Sequence, residues 1–195
     1  MASFAVKRTN VMSEYSDDEL LILFRNENTR HDAFTRLVVR YRERLYWHIR
    51  KILIVHEDAD DVLQNTFVKA WKGLETFRGE SQLSTWMYRI ATNESITFLN
   101  QKRSRQMMPL EDVEYQLSQS LHQDAYFSGN ELQEQLQKAI LSLPEKQRIV
   151  FNMKYFEEMP YEEMSEILGT SVGALKASYH HAIKKIKAWF ELNVD

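Results

Sequence analysis

The sequence predicts an all-α protein: two small helical domains joined by an acidic flexible linker, the second containing a helix–turn–helix. Three observations carry that expectation. The chain has five glycines and three prolines in 195 residues, while leucine, lysine, glutamate and glutamine are plentiful, so turn-formers are scarce and helix-formers abundant. Apolar residues recur with a helical period through most of the chain. Between Gln106 and Gln137 there is no lysine or arginine, although Glu111, Asp112, Glu114, Asp124, Glu131 and Glu134 all occur.

That basic-free stretch also holds Pro109, Ser118, Ser120, Ser128 and Gly129 and reads as a spacer. The division it implies is an N-terminal extension over 1–13, a first domain over 14–105, the linker over 106–131 and a second domain over 132–195. Lys102, Arg103 and Arg105 precede the linker, and Lys176, Lys184, Lys185 and Lys187 lie near the end, so two basic surfaces flank an acidic tether.

In the first domain, Ser16 and Glu19 are spaced as a capping box ahead of the apolar run Leu20 to Phe24. Phe34, Leu37, Val38, Tyr41, Leu45, Ile49 and Ile52 form one stripe of a long helix. Asp58, Asp60 and Asp61 favour a helix start, because carboxylates complement the positive end of the helix dipole. That helix buries Ala59, Val62, Leu63, Phe67, Ala70, Trp71 and Leu74. The stretch from Phe77 to Gln82 breaks the period and reads as a loop, followed by a helix from about Leu83 to Lys102.

The second domain begins with Ser142-Leu143-Pro144-Glu145, which offers an N-cap, an early proline and a capping glutamate. Ile149, Val150, Met153, Tyr155 and Phe156 supply its core. A helix from near Pro160 ends at Gly169, which can take the positive φ that redirects the chain, and another runs from about Ser171 to Leu192. Leu175 returns to the core and leaves Lys176, Ala177, His180, His181 and Lys184 facing outward. A helix carrying such a face suits the DNA major groove, and a plain helical hairpin with a solvated basic face has the same spacing.

Several classes of function are excluded or disfavoured. At 44% hydrophobic and 27% charged the composition is that of a globular protein, and no run approaches the roughly 18 apolar residues of a membrane helix. Lys7 and Arg8 precede no apolar run, so a secretory leader is not expected. Without cysteine there is no disulfide framework or thiolate metal site, and adjacent His180 and His181 diverge by about 100° on a helix. No metal or cofactor is expected. Glu157-Glu158 and Glu162-Glu163 read as solvated pairs, with no nucleophile or phosphate loop to make them catalytic.

Beyond these readings, the residues carry a resemblance. Leu143 to Arg148, Tyr161-Glu162-Glu163-Met164, Ile167-Leu168-Gly169 and Ser171 to Lys176 resemble the promoter-reading C-terminal domain of the extracytoplasmic function subgroup of sigma factors. Asp58 to Gln64, with Phe67 and Ala70-Trp71, is similar to that family's polymerase-binding helix. Phe77 to Ser81 and Thr85 to Asn93 are similar to its promoter-melting segment. The likeness covers nearly all of the chain beyond the first dozen residues.

The resemblance implies partners and roles. Asp60, Asp61, Gln64 and Phe67 would bind core RNA polymerase. Arg78, Gly79, Glu80, Ser81, Tyr88, Arg89, Asn93, Lys102 and Arg103 would handle the −10 element of promoter DNA, with Trp86 on the inner side of its helix. Ser171, Lys176, Ala177, His180, His181 and Lys184 would serve the −35 element. Asn65 stands where the family often has glutamate, which weakens one possible charge contact with polymerase without removing that site, and Ala177, Ser178 and His181 depart from the commoner residues of the −35 reader, which points to a different base preference. The linker would thread into polymerase, where Glu111, Asp112 and Glu114 would mimic nucleic acid. An anti-sigma factor is the implied regulator of an otherwise cytoplasmic bacterial protein, holding it at the inner membrane where that partner is anchored there. The chain would insert no membrane segment and catalyse nothing itself. An operator-binding regulator explains the second domain equally well and leaves the Asp60–Trp71 and Phe77–Asn93 blocks without a role.

Overall fold

The computed structural model describes residues 15–106 and 131–193. The predicted extension over 1–13 lies outside them, as does the predicted linker, except that Gln106 closes one helix and Glu131 opens the next. Glu111, Asp112, Glu114 and the Arg105 side chain also fall outside. Among the described residues no helix is long and apolar enough to cross a membrane.

α1 (Asp17–Arg25) begins with the expected capping box: the Ser16 hydroxyl accepts from the Glu19 amide at 3.2 Å, and the Glu19 carboxylate accepts from the Ser16 amide. It buries Leu20 and Phe24 on α2 (Arg30–Leu53), whose stripe Leu37, Tyr41, Leu45, Ile49 and Ile52 forms the centre of the first bundle. Asp17 accepts from both the Tyr41 hydroxyl and Arg40 Nη1, fastening the two helices. A tight turn at Ile54, with φ of 67° and a Val55 N–H to Leu53 carbonyl bond of 2.8 Å, reverses the chain into α3 (His56–Gly73). A 3-10 turn (Leu74–Thr76) and the loop over 77–82 lead to α4 (Leu83–Gln106).

The second half contains α5 (Glu131–Leu141), α6 (Glu145–Tyr155), α7 (Tyr161–Leu168) and α8 (Val172–Asn193). Ser142 is not the N-cap of α6. Its hydroxyl donates back to the Ala139 carbonyl at 2.8 Å, and Pro144 occupies the cap without a side-chain bond. Gly169 closes α7 with φ of 60°, as expected.

α6 is apolar on two sides and uses both. Phe151 packs with Ala139, Ile140, Leu143, Ala182 and Ile186 in a core of the second half. Ile149, Val150 and Met153, with Met159, Met164 and Ile167, instead join the core built on Leu45 and Ile49 of the first half. The two halves are therefore packed together, α4 against α7 and α2 against α6. A unit of roughly 60 residues has a marginal core, and this second contact gives it further apolar burial. Tyr155 departs from the predicted core set: it is 52% exposed and lies stacked on Phe151.

Candidate nucleic-acid and protein interfaces

The acidic start of α3 supplies the first candidate surface. Asp61 and Gln64 are exposed, while Asp60 is held from within its own helix by His56 Nε2 at 3.4 Å. His56 Nδ1 is in turn 2.6 Å from the Tyr46 hydroxyl of α2, so the Asp60 carboxylate is oriented by a two-step chain. Phe67 turns inward, edge-on to Phe34 at 6.4 Å, and is half-buried. The apolar residue presented outward beside Gln64 is Val68, 53% exposed. Sequence reasoning missed it because its spacing from Asp61 and Gln64 is helical but its type is unremarkable. Val39, Tyr46, Trp47 and Asp60 line an adjoining groove of about 780 Å³ between α2 and α3.

The second candidate surface is the loop over 77–82 with the start of α4. Gly79 takes φ of 73° in open space, and Arg78 and Glu80 stand out into solvent 4.0 Å apart. Ser81 is half-buried. Arg78, Glu80 and Ser81 rim a cleft of about 350 Å³ whose floor is Trp86, tilted on Phe77 at 5.1 Å. Gly73 sits where any Cβ would come within 2.8 Å of the Trp86 ring, which is how the indole reaches that floor. Arg89 lines the same cleft, and Asn93 is exposed one turn further along. The site can accept a planar ring against an aromatic wall with charged and hydroxyl groups at its edge.

Three residues assigned to that surface lie elsewhere. Tyr88 faces the other side of α4, only 5% exposed, its ring 4.9 Å from His48 and below the Arg44 guanidinium. Burial raises its hydroxyl pKa, with the charge of Glu157 adding to the shift. Lys102 is paired with Asp58 at 2.6 Å, and Arg103 with Glu145 of α6.

The third candidate surface lies on α8. Ser171 accepts from the Ala174 amide at 3.3 Å and so acts in starting the helix. Lys176, Ala177, His180, His181 and Lys184 are exposed, and Leu175 is buried. Lys176 Nζ lies 5.6 Å from the centre of the Tyr161 ring of α7. The His180 and His181 rings are 6.2 Å apart and inclined at 62°, two separate surface groups.

The groups that join the halves were not foreseen. Glu157, read from the sequence as solvated, has a side chain only 11% exposed and accepts from His48 Nδ1 at 3.0 and 3.2 Å. Thr92 gives its hydroxyl proton to the Tyr88 carbonyl, so it accepts from His48 Nε2 at 2.8 Å. Burial raises the Glu157 carboxyl, but His48 and then Lys51 outweigh it and leave it below its ordinary value.

Comparison with known proteins agrees with this layout. A family model described as Sigma-70 region 2 matches residues 37–105, and one described as Sigma-70, region 4 matches 133–186. The ECF RNA polymerase sigma factor SigW of Bacillus subtilis (strain 168) is 30% identical over 165 residues, 80% of this chain and 88% of SigW. The chain belongs to the extracytoplasmic function (ECF) sigma factors.

This sigma factor is also 35% identical to the RNA polymerase sigma factor YlaC of the same organism over 142 residues, 67% of this chain and 76% of YlaC. The ECF sigma-E factor of Escherichia coli (strain K12) is 29% identical over 183 residues, covering 90% and 95%. Two solved structures share the fold. CnrH, in complex with the cytosolic domain of CnrY, superposes with a TM-score of 0.64 at 24% identity, over 89% of this chain and 96% of CnrH. RpoE from Bartonella quintana, in complex with the anti-sigma factor NepR, gives 0.62 at 20% identity, over 82% and 98%. This sigma factor thus binds core RNA polymerase and promoter DNA and acts in promoter-directed initiation.

Proposed function

We propose that this sigma factor distributes promoter-directed initiation over the three surfaces. The face of α3 bearing Asp60, Asp61, Gln64 and Val68 docks on core polymerase, an apolar contact ringed by polar groups that set its orientation. The cleft lined by Arg78, Glu80, Ser81 and Arg89, with Gly79 turning the loop between them, takes an unstacked −10 base onto Trp86, with Asn93 beside it. The α7–α8 pair acts as a helix–turn–helix, with Ser171, Lys176, Ala177, His180, His181 and Lys184 toward the −35 element. Lys102 and Arg103 hold DNA backbone once released from Asp58 and Glu145.

The observation that carries this reading is the aromatic-floored cleft, since an opened base pair recloses unless a base is trapped. Polymerase carries out the chemistry in this reading, and the chain contributes no catalytic group, metal or cofactor. An anti-sigma factor of the kind bound to the structural neighbours is the regulator we infer, keeping the protein at the inner membrane where it is itself anchored.

The test is transcription from a genomic fragment library by core polymerase with and without the protein. Discrete new start sites sharing two spaced elements are expected. Tight binding to duplex DNA without core, and no start sites with it, would replace this reading with an operator-binding one.

A further inference from the structure

Asp60 stands at the outer end of a polar relay that begins in the core. Arg50 of α2, 2% exposed, hydrogen-bonds the hydroxyl of Tyr46, one turn earlier on the same helix. That hydroxyl lies 2.6 Å from Nδ1 of His56, across the turn on α3. His56 Nε2 reaches Asp60 Oδ2, one turn further along α3, at 3.4 Å. The inner half of the relay is buried, and its outer half is at the surface, the His56 and Asp60 side chains being 59% and 46% exposed.

The inventory of protons gives the relay a direction. A guanidinium only donates, so the Tyr46 oxygen accepts from Arg50 and its own proton is free to point at His56. Nδ1 of His56 then accepts, which leaves the proton of the neutral ring on Nε2, aimed at the carboxylate. The opposite tautomer would turn a lone pair toward Asp60. A buried cation thus selects which ring nitrogen presents a proton to a surface carboxylate.

Local structure gives His56 little else to do. An imidazole at the first position of a helix contributes little to starting it, since hydroxyls and carboxylates serve there, and Val55 occupies the cap without a side-chain bond. An exposed pair of this kind also adds little to folding. What the relay restricts is rotation of the Asp60 side chain, and a carboxylate already held loses less freedom when a partner binds it. Tyr46 is itself held, edge-on to the Trp47 ring at 5.1 Å and to the His56 ring at 5.9 Å.

We infer that His56 and Tyr46 are positioning residues for core-polymerase docking, holding the Asp60 carboxylate so that it meets its partner already oriented. Arg50 anchors them from within α2. The inference rests on the proposed docking of the α3 face.

A fluorescence titration of the full chain with core polymerase tests it. Asp60→Ala is expected to weaken binding roughly tenfold or more. His56→Ala should weaken it roughly three- to fivefold, while His56→Gln, whose amide still donates from the Nε2 position, should lose less than about twofold. Added to Asp60→Ala, His56→Ala should cost nothing more. A further loss of the same size in that background makes His56 a separate contact or a structural residue and overturns the relay. Equal losses in His56→Gln and His56→Ala overturn it too. Undiminished binding by Asp60→Ala instead overturns the docking of this face, and the positioning role with it.

The second readout needs no polymerase. Nitrogen NMR of the free protein at alkaline pH reads the tautomer, and His56→Gln identifies the His56 signals among the six histidines. A proton on Nε2 that shifts partly to Nδ1 in Tyr46→Phe is expected. A proton on Nδ1 in the parent protein, or a tautomer unmoved by Tyr46→Phe, overturns the relay whatever the affinities show. Should circular dichroism show Tyr46→Phe unfolded, the parent tautomer and the His56 variants decide.

Discussion

His48 of α2 and Glu157 after α6, 109 residues apart in sequence, lie 3.0 Å apart at the buried junction of the two halves. The ring is fixed from behind by Thr92 and covered by Tyr88, so the carboxylate meets an oriented donor. Lys51 stands on its other side.

Glu157→Gln tests the junction through stability. The carboxyl is held below its ordinary value of 4.5, burial opposing and His48 and Lys51 prevailing, so the ionised form is the one the packed protein favours. Its contribution is present above that ordinary value and is lost as pH falls through the lower packed-state value. Urea unfolding near neutral pH is expected to show the variant weaker by about 1.5–3 kcal/mol. The gap should close at acid pH, whereas a gap independent of pH would mean that the charge is not what matters.

Gly73→Ala links packing to the cleft. The added methyl would meet the Trp86 ring at 2.8 Å, so the indole must shift away from its seat. Overpacking of this kind costs about 1–3 kcal/mol. Thermal melting should fall accordingly, and permanganate footprinting should show less −10 opening in a reconstituted polymerase complex.

Gly169→Ala separates backbone strain from contact. Nothing lies within 4 Å of an added Cβ, but φ is 60°. A left-handed alanine costs about 1–2 kcal/mol, and urea unfolding is expected to register that loss. Gly169→Asn should lose less, since asparagine tolerates this region better.

Arg89→Ala and Asn93→Ala remove exposed polar groups of α4 beside the cleft and leave the core intact. Each is expected to reduce open-complex formation by about 1–3 kcal/mol, roughly 5- to 160-fold, while binding to core polymerase is unchanged. Equal losses in both assays would place these residues in the protein contact instead.

Val68→Glu probes α3. The side chain is 53% exposed, so folding stability should change by less than about 0.5 kcal/mol. A charge placed at an apolar anchor is expected to weaken core-polymerase affinity by about 2 kcal/mol, roughly thirtyfold, in a fluorescence titration. Phe67→Ala should instead lower the melting temperature, because its ring packs against Phe34 inside the bundle.

The sequence by itself determined the local elements. The capping box at Ser16, the stripe of α2, the break over 77–82 and the reversal at Gly169 all follow from residue spacing and backbone freedom, which act over a few neighbours. The exposed set on α8 was legible for the same reason: Leu175 fixes which side is inward, and the period places Lys176, Ala177, His180, His181 and Lys184 on the other. Only the tertiary structure decided which apolar face meets which. Helical period marks a face as apolar without naming its partner, so it could not show α6 dividing its residues between two cores, or Val68 rather than Phe67 facing outward. The pairings of Arg103 with Glu145, of Lys102 with Asp58 and of His48 with Glu157 join residues 42 to 109 positions apart. Such contacts depend on how whole helices dock, and that is settled by burying the largest apolar area with every buried charge paired.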